Sequence, residues 1–172
     1  DLFSEIIGED ARKLPINKKI NLVVTSPPYI NSHHYIWSNK LRLMQLGIAD
    51  DKLRLELMKK EIGTEDFSAD EYRNFKKTGI KELDELIVRI YNGDNYKATG
   101  EQNKIRAYST YQFFADMKTH FEQAYKMLLS DSKYCLVAGN NKICKVEIPT
   151  PKFLIEIAEK TGLKKIFDFK IL

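Results

Sequence analysis

The stretch Asn21-Leu-Val-Val-Thr-Ser-Pro-Pro-Tyr29 is an apolar run that stops in a polar corner, stiffened by two prolines and carrying an aromatic ring. Ile20 to Val24 are apolar or β-branched apart from Asn21, the pattern of a strand buried on both faces of a parallel sheet. Pro27 has no backbone N–H to donate, and Pro28 biases Pro27 away from the α region. The chain after Ser26 is therefore predicted to run extended in a nearly fixed shape. That shape aims the Ser26 hydroxyl, the carbonyls near Pro27 and the Tyr29 ring into the crevice at the carboxyl end of the strand, where open α/β sheets bind their ligands. A Pro-Pro-Tyr triplet can also be an extended linker or a ligand for a WW-type domain, but such ligands sit in proline-rich, disordered surroundings, whereas this one ends an apolar strand.

Upstream, Phe3, Ile6 and Ile7 predict a short strand over Asp1–Ile7, closed by Gly8-Glu-Asp10. Asp10 is suited to capping a helical turn through Leu14. Downstream, Ile30 to Ser38 is rich in aromatics and amides, and a helical region follows from Leu41 to about Tyr91. Leu53, Leu57 and Met58 recur there at helical spacing until the Gly63-Thr64 break. Ser68 and Glu71 have capping-box spacing, Gly79 offers a stop, and Ile80, Leu83, Leu86, Ile87 and Ile90 mark one face of a further helix. The stretch Asn92–Arg106 holds glycines and bases but few large apolar residues, and reads as a mobile loop. Ser109 with Gln112 repeats the capping spacing before a stripe of Phe114, Met117, Phe121, Ala124, Tyr125 and Leu128, which is read as core. Tyr134–Ala138 predicts a second buried strand ending at Gly139-Asn140-Asn141. Either a turn or directed hydrogen bonds at the crevice would use these residues. Thr150-Pro151 starts a helix that Gly162 stops, and Lys165–Leu172 predicts a third strand.

The 172 residues, 43% hydrophobic, are enough to bury one core. Lys and Arg exceed Asp and Glu by 28 to 24, a net charge of +4, which permits a nucleic-acid partner without demanding one. No apolar stretch approaches the ~20 residues of a membrane span, and no signal peptide opens the chain, so a soluble, cytoplasmic protein without a membrane partner is expected. Cys135 and Cys144 lack metal-ligand spacing and read as reduced thiols. The adjacent His33 and His34 have no Cys or Glu partner at zinc spacing, so no metal site is expected.

Thr25-Ser-Pro-Pro-Tyr29 after an apolar strand resembles the TSPPY form of the motif of amino-methylating DNA methyltransferases, the N4-cytosine and N6-adenine enzymes. Gly8-Glu-Asp10-Ala-Arg-Lys-Leu-Pro15 resembles the family's acidic segment before the catalytic strand. Tyr111–Lys126 followed by Tyr134-Cys-Leu-Val-Ala-Gly-Asn140 resembles its next helix and strand, and Leu41-Arg-Leu-Met-Gln-Leu-Gly47 the Leu-rich helix after the motif. The resemblance implies an α/β fold: a partial Rossmann-like class I methyltransferase sheet, largely parallel, formed by residues 1–38 and 107–172. Residues 39–106 would be an inserted helical subdomain that shapes a DNA cleft.

It further implies S-adenosylmethionine as cofactor, with Asp10 and Thr25 as candidate contacts, and double-stranded DNA with a flipped target base as partner. Ser26, Pro27, Pro28 and Tyr29 would form the catalytic turn. Asn31, Tyr35 and Asn140 are candidates for contact with the base; Tyr35 and Trp37 could stack on it, though an aromatic near the start of a helix is more often part of the core. Lys97, Lys104 and Arg106 are candidates for contact with phosphates. Ser in the motif's first variable position favours cytosine N4 over adenine N6.

The family holds its cofactor with a Phe-x-Gly-x-Gly-like turn, and none of the eight glycines here forms Gly-x-Gly. The expectation is a fragment or one half of a split enzyme, completed by a segment or chain carrying that turn. The competing expectation is a catalytically silent DNA-binding or assembly module derived from a methyltransferase. An RNA or protein amine methyltransferase is a third.

Overall fold

A computed structural model describes residues 4, 8, 10–14, 19–30, 35–48, 50–74 and 76–169. Asn31, His33 and His34, the predicted strand Asp1–Ile7 apart from Ser4, and residues 170–172 lie outside them.

The described residues form a mixed helix and strand structure whose order is β1 (Ile20–Thr25), α1 (Tyr35–Ser38), α2 (Lys40–Gln45), α3 (Asp51–Lys60), α4 (Ala69–Arg73), α5 (Lys81–Asn92), α6 (Gln102–Met127), β2 (Leu128–Leu136), β3 (Asn141–Ile143), β4 (Val146–Ile148) and α7 (Thr150–Lys160). β1 and β2 pair in parallel, with Leu22 beside Lys133, Val23 beside Tyr134 and Thr25 beside Leu136; Val137 N–H adds a bond to the Thr25 carbonyl at 2.9 Å. The two predicted strands therefore do lie side by side. Regular pairing starts near the expected Tyr134, because the register jumps between Ile20/Leu128 and Leu22/Lys133, and Asp131 in the intervening irregularity has φ +62°.

β1 is not buried on both faces. Alternation in the strand turns Val23 and Thr25 to the covered side with Tyr134 and Leu136, whereas Leu22 and Val24 are 58% and 68% exposed. Among the described residues β1 pairs only with β2, which leaves its other edge free, and the exposure of Leu22 and Val24 shows that one face is also uncovered. The predicted third strand also does not form over the described residues 164–169, where Ile166, Phe167 and Phe169 are exposed and no ladder partner is present.

The core is one cluster in which α5 contributes Leu83, Ile87 and Ile90, α6 contributes Phe113, Phe114, Met117 and Phe121, and α7 contributes Phe153, Leu154 and Ile157. α5 lies within the region read as an insert, yet it packs directly along α6 and is part of this core. Its end follows local chemistry: Gly93 at φ +75° lets Gly93 N–H reach Ile90 O and Asp94 N–H reach Arg89 O, closing the last turn. α2 and α3, by contrast, bury no residue. The Ser68/Glu71 spacing works as read, since the Glu71 carboxylate accepts from both the Ser68 N–H (2.8 Å) and its hydroxyl (2.7 Å). That helix ends at Arg73, so Gly79 belongs to the linker after it rather than to its stop.

Two start signals are corrected. α6 begins at Gln102, seven residues before Ser109, whose hydroxyl donates instead to the Thr64 carbonyl at 2.8 Å and pins the α3–α4 linker to the helix. The apolar stripe continues upstream through Ala107, which lets the helix extend past the local cap. In α7, Thr150 is the first helical residue and buried; its hydroxyl donates to Asn141 Oδ1 (2.8 Å) rather than capping its own helix.

β3 and β4 form an antiparallel hairpin that the sequence did not announce. Its two-residue turn, Cys144-Lys145, has φ +48° and +61°. Positive φ at both positions is what a type I′ turn requires, and Asn-Gly is the usual means of supplying it. A left-handed conformation costs an L-residue about 1–2 kcal/mol. Lys145 is exposed and its ammonium lies 5.2 Å from the Tyr96 ring, a contact worth about 0.5 kcal/mol. Lys145→Gly is therefore expected to raise stability by about 0.5–1 kcal/mol in urea denaturation; a loss of stability would show that the turn is unstrained.

Candidate functional site

The parallel pairing of β1 and β2 brings their carboxyl ends together, and the candidate site lies there. Ser26, Pro27, Pro28 and Tyr29 leave β1 without regular structure and line one wall of a cleft. Val137, Ala138 and Gly139 leave β2 beside them, and Phe113 of α6, Asn141 of β3, and Thr150 and Leu154 of α7 complete the lining. The enclosed space is about 40 Å³, room for a water molecule rather than for a whole ligand, and it opens to solvent at its mouth.

The walls differ in kind. Phe113 and Leu154 are fully buried and give the cleft an apolar floor, while Ser26 and Tyr29 are exposed at the rim. Tyr29, 57% exposed, lies close to Gly139: a methyl group on Gly139 would stand 3.8 Å from Tyr29 Cε1, in contact with the ring edge. The polar element inside the cleft is the buried pair Asn141 and Thr150, with the hydroxyl donating to the amide carbonyl at 2.8 Å.

Of the residues proposed for contact with a base, Asn140 is exposed and is not part of the cleft lining; its neighbour Asn141 is. The alternation of β3 decides this, turning Asn141 and Ile143 inward and Lys142 outward. Tyr35 is half exposed in the single turn α1, and its backbone carbonyl accepts from Asn39 Nδ2. Trp37 in the same turn, 48% exposed, carries Lys40 Nζ 3.8 Å above its ring and the Arg54 guanidinium at 5.2 Å. Thr25 ends β1 and joins it to β2 through its carbonyl.

Asp10 is held from several directions by Arg12. Its Oδ1 accepts from Arg12 N–H and Nε, both at 2.9 Å, and its Oδ2 from Nη2 at 3.0 Å. The capping reading of Asp10 is thus what the geometry displays. The guanidinium holds the Asp10 carboxyl below the usual carboxylate range, against the opposing push of burial. Arg12 also reaches Asp116 Oδ2 on α6 (3.1 Å) and the Lys60 carbonyl at the end of α3 (2.7 Å). One turn further along α6, His120 Nδ1 lies 3.0 Å from the Ala11 carbonyl and Nε2 lies 2.6 Å from the Tyr134 hydroxyl. A carbonyl can only accept, so Nδ1 carries the proton, and in the neutral ring the Tyr134 hydroxyl donates to Nε2. Burial pushes Asp116 and Tyr134 up from their ordinary values. Arg12, Asp116 and His120 were missed as site-supporting residues. Their signal was two polar side chains four apart, Asp116 and His120, within an otherwise apolar helical stripe.

The basic residues read as phosphate contacts separate. Lys104 and Arg106 belong to α6 rather than to a loop. Lys104 pairs with Glu101 at 2.9 Å and Arg106 with Glu65 at 3.7 Å. Lys97 is exposed on the linker between α5 and α6. That linker is pinned rather than mobile: buried Asn103 donates to the Ile90 and Tyr96 carbonyls, both at 2.9 Å, and accepts from the Ala98 N–H at 2.6 Å.

Cys135 is exposed and Cys144 buried, both as free thiols. Among the described residues no helix is long and apolar enough to cross a membrane, and no group of three or more His, Cys, Asp or Glu side chains could hold a metal ion. No family model, curated protein or solved structure matches the chain.

Proposed function

We propose that this chain is the base-binding, catalytic part of a nucleic-acid amino-methyltransferase that acts on an exocyclic amine, cytosine N4 in preference to adenine N6. The observation that carries the reading is the Ser26-Pro-Pro-Tyr29 turn lining a cleft at the carboxyl end of one of two parallel strands, with an aromatic floor beneath it.

The amine lone pair of cytosine or adenine is delocalised into the ring, which makes it a poor nucleophile. Acceptors at the Ser26 hydroxyl and the Pro27 carbonyl would accept hydrogen bonds from its two N–H groups, draw the nitrogen out of the ring plane and stabilise the positive charge that develops in the transition state. Proline supplies the acceptor side of this arrangement well, since it has a carbonyl and no N–H. Tyr29 would stack on the base and offset part of the few kcal/mol that removal from the duplex costs. Neither a metal nor a covalent cysteine intermediate enters this chemistry.

S-adenosylmethionine, when bound, supplies the methyl group. Asp10 and Thr25 are the residues proposed to hold it. Asp10 fits that role despite Arg12, because its side chain keeps 32% of its surface exposed and Oδ2, which accepts one bond from Arg12, can accept a second. The exposed Leu22 and Val24 bear on the completed fold. Parallel sheets are ordinarily covered on both faces by helices, so the reading includes a further layer over Leu22 and Val24, and strands along the free edge of β1 in a Rossmann-like sheet, from the segment that carries the glycine turn.

Titration calorimetry with S-adenosylmethionine, on the chain and its Asp10→Asn variant, is paired with transfer of labelled methyl groups to duplex DNA. Cofactor binding that weakens about tenfold in the variant, a loss sized for one charge-assisted hydrogen bond, with label recovered as N4-methylcytosine, is the expected result. DNA retention with neither cofactor binding nor label, from the chain alone and when it is supplied with a segment that carries the glycine turn, would instead identify a silent DNA-binding module.

A further inference from the structure

The turn that carries Asp10 is closed by a backbone bond of its own, Lys13 N–H to the Asp10 carbonyl at 2.9 Å. Its middle peptide, between Ala11 and Arg12, is held from both sides. The Arg12 N–H donates to Asp10 Oδ1 at 2.9 Å, and the Ala11 carbonyl lies 3.0 Å from Nδ1 of His120. A trans peptide is planar with its C=O and N–H pointing in opposite directions, so whatever fixes the carbonyl also aims the N–H. His120 is 8% exposed on α6, and its other ring nitrogen lies 2.6 Å from the hydroxyl of Tyr134 on β2, which stands beside Val23 of β1. The donors run in one direction: Tyr134 hydroxyl to Nε2, Nδ1–H to the Ala11 carbonyl, Arg12 N–H to the Asp10 carboxylate. Hydrogen bonds linked in this way polarise one another. Burial pushes the Tyr134 hydroxyl up from its ordinary value, so it keeps the proton with which the chain starts.

We propose that His120 and Tyr134 are positioning residues for Asp10, acting through the Ala11–Arg12 peptide, and that they orient its carboxylate toward a donor group of the cofactor. The inference rests on the reading of Asp10 as a cofactor contact. Oδ1 is the held end, since it accepts from both the Arg12 N–H and Nε; Oδ2 accepts one bond from Nη2 at 3.0 Å and can accept a second. The Arg12 side chain does not fix the turn alone, because it is long, rotatable and divided among Asp10, Asp116 and the Lys60 carbonyl. His120 holds the backbone instead. A neutral imidazole has one donor and one acceptor, and the bond from Tyr134 to Nε2 selects the tautomer that donates at Nδ1. Through Tyr134 the orientation of Asp10 is referred to β2, which two residues on pairs Leu136 with Thr25, the other residue proposed to hold the cofactor.

The test is a double-mutant cycle read by titration calorimetry with S-adenosylmethionine, on the chain alone and supplied with a segment that carries the glycine turn. His120→Leu is expected to weaken binding about tenfold, and His120→Asn, of similar size but able to donate to the Ala11 carbonyl, to stay within about threefold of the wild type. In an Asp10→Ala background, where there is no carboxylate to orient, His120→Leu should add less than about twofold. In mildly alkaline buffer the ¹⁵N signals of His120, assigned by their loss in His120→Asn, should show the proton on Nδ1. If circular dichroism shows His120→Leu unfolded, Tyr134→Phe takes its place in the cycle, with an expected loss of about threefold that disappears with Asp10. An unchanged affinity, an equal loss with and without Asp10, or a proton on Nε2 would overturn the inference and leave Asp10 as a cofactor contact. If the wild type does not bind the cofactor under either condition, or Asp10→Ala binds it as tightly, the cofactor reading of Asp10 falls and takes this inference with it.

Discussion

Arg12→Ala is expected to lower the stability of the chain by about 2 kcal/mol, between the scales for a surface pair and a fully buried one, because the Arg12 side chain keeps 21% of its surface exposed. Asp116, only 10% exposed at its side chain, would keep one hydrogen bond, from Gln112 Nε2 at 3.0 Å, and lose the charge that compensates its burial. The Lys60 carbonyl and the Asp10 carboxylate lose a donor at the same time, so the segment 10–14 and the end of α3 are released together. Urea denaturation measures the loss. A change below about 1 kcal/mol would mean that the pair is as dispensable as a surface salt bridge. Adding Asp116→Asn to Arg12→Ala should recover much of the stability, since a neutral amide costs less to bury than a carboxylate.

The pH dependence carries a sign that separates the two carboxylates. Asp10 has a depressed folded-state pKa, so its contribution is present above its unfolded value near 3.8 and is lost as the pH falls through the lower folded value. Asp116 is raised by burial, with Arg12 pulling it back. Its folded form takes up a proton first on acidification, which favours the folded state as the pH falls through that raised value. In Arg12→Ala the pull of the guanidinium is gone and Asp116 rises further. The deficit of the variant should therefore be largest near neutral pH and shrink toward pH 4. A deficit independent of pH would show that Asp116 is not the group left unpaired.

Ser26→Ala is expected to reduce the turnover of methyl transfer by about 100-fold or more while leaving stability within about 0.5 kcal/mol. The first figure is the scale for removing one group that stabilises transition-state charge; the second is the scale for an exposed side chain without a structural partner. KM for DNA should change little, because an interaction formed as the amine leaves the ring plane is absent from the ground state. Equal losses in KM and turnover, or a fall in the melting temperature, would place Ser26 in the fold rather than in the chemistry. Tyr29→Ala should act differently, raising KM through lost stacking.

Local chemistry was enough to read the elements whose signals lie within a few residues of one another. β1 ends where the prolines begin, because they withdraw N–H donors from any ladder. Ser68 and Glu71 cap a helix, Leu83, Ile87 and Ile90 face a core, and Gly162 follows α7 at φ +106°, all from spacings legible in one dimension. The neighbouring ends of β1 and β2 were also foreseeable, since two apolar runs joined by a long helical connection favour a parallel pair.

Contacts between distant parts of the chain left no comparable trace. Ser109 looks like a cap and acts as a brace to Thr64, because the apolar face of α6 extends its helix past the local signal. Asn141, not Asn140, enters the cleft because the β3–β4 hairpin sets which side chain alternates inward. Arg12 joins Asp10, Asp116 and Lys60 across separations of 2, 104 and 48 residues, and nothing in the spacing of those residues encodes that meeting. Periodicity and capping express the conformational preferences of neighbours, whereas the pairing of buried polar groups depends on which helices pack together. The TSPPY turn was therefore visible in the sequence, and the buried residues that share its cleft, Phe113, Asn141, Thr150 and Leu154, were set by packing.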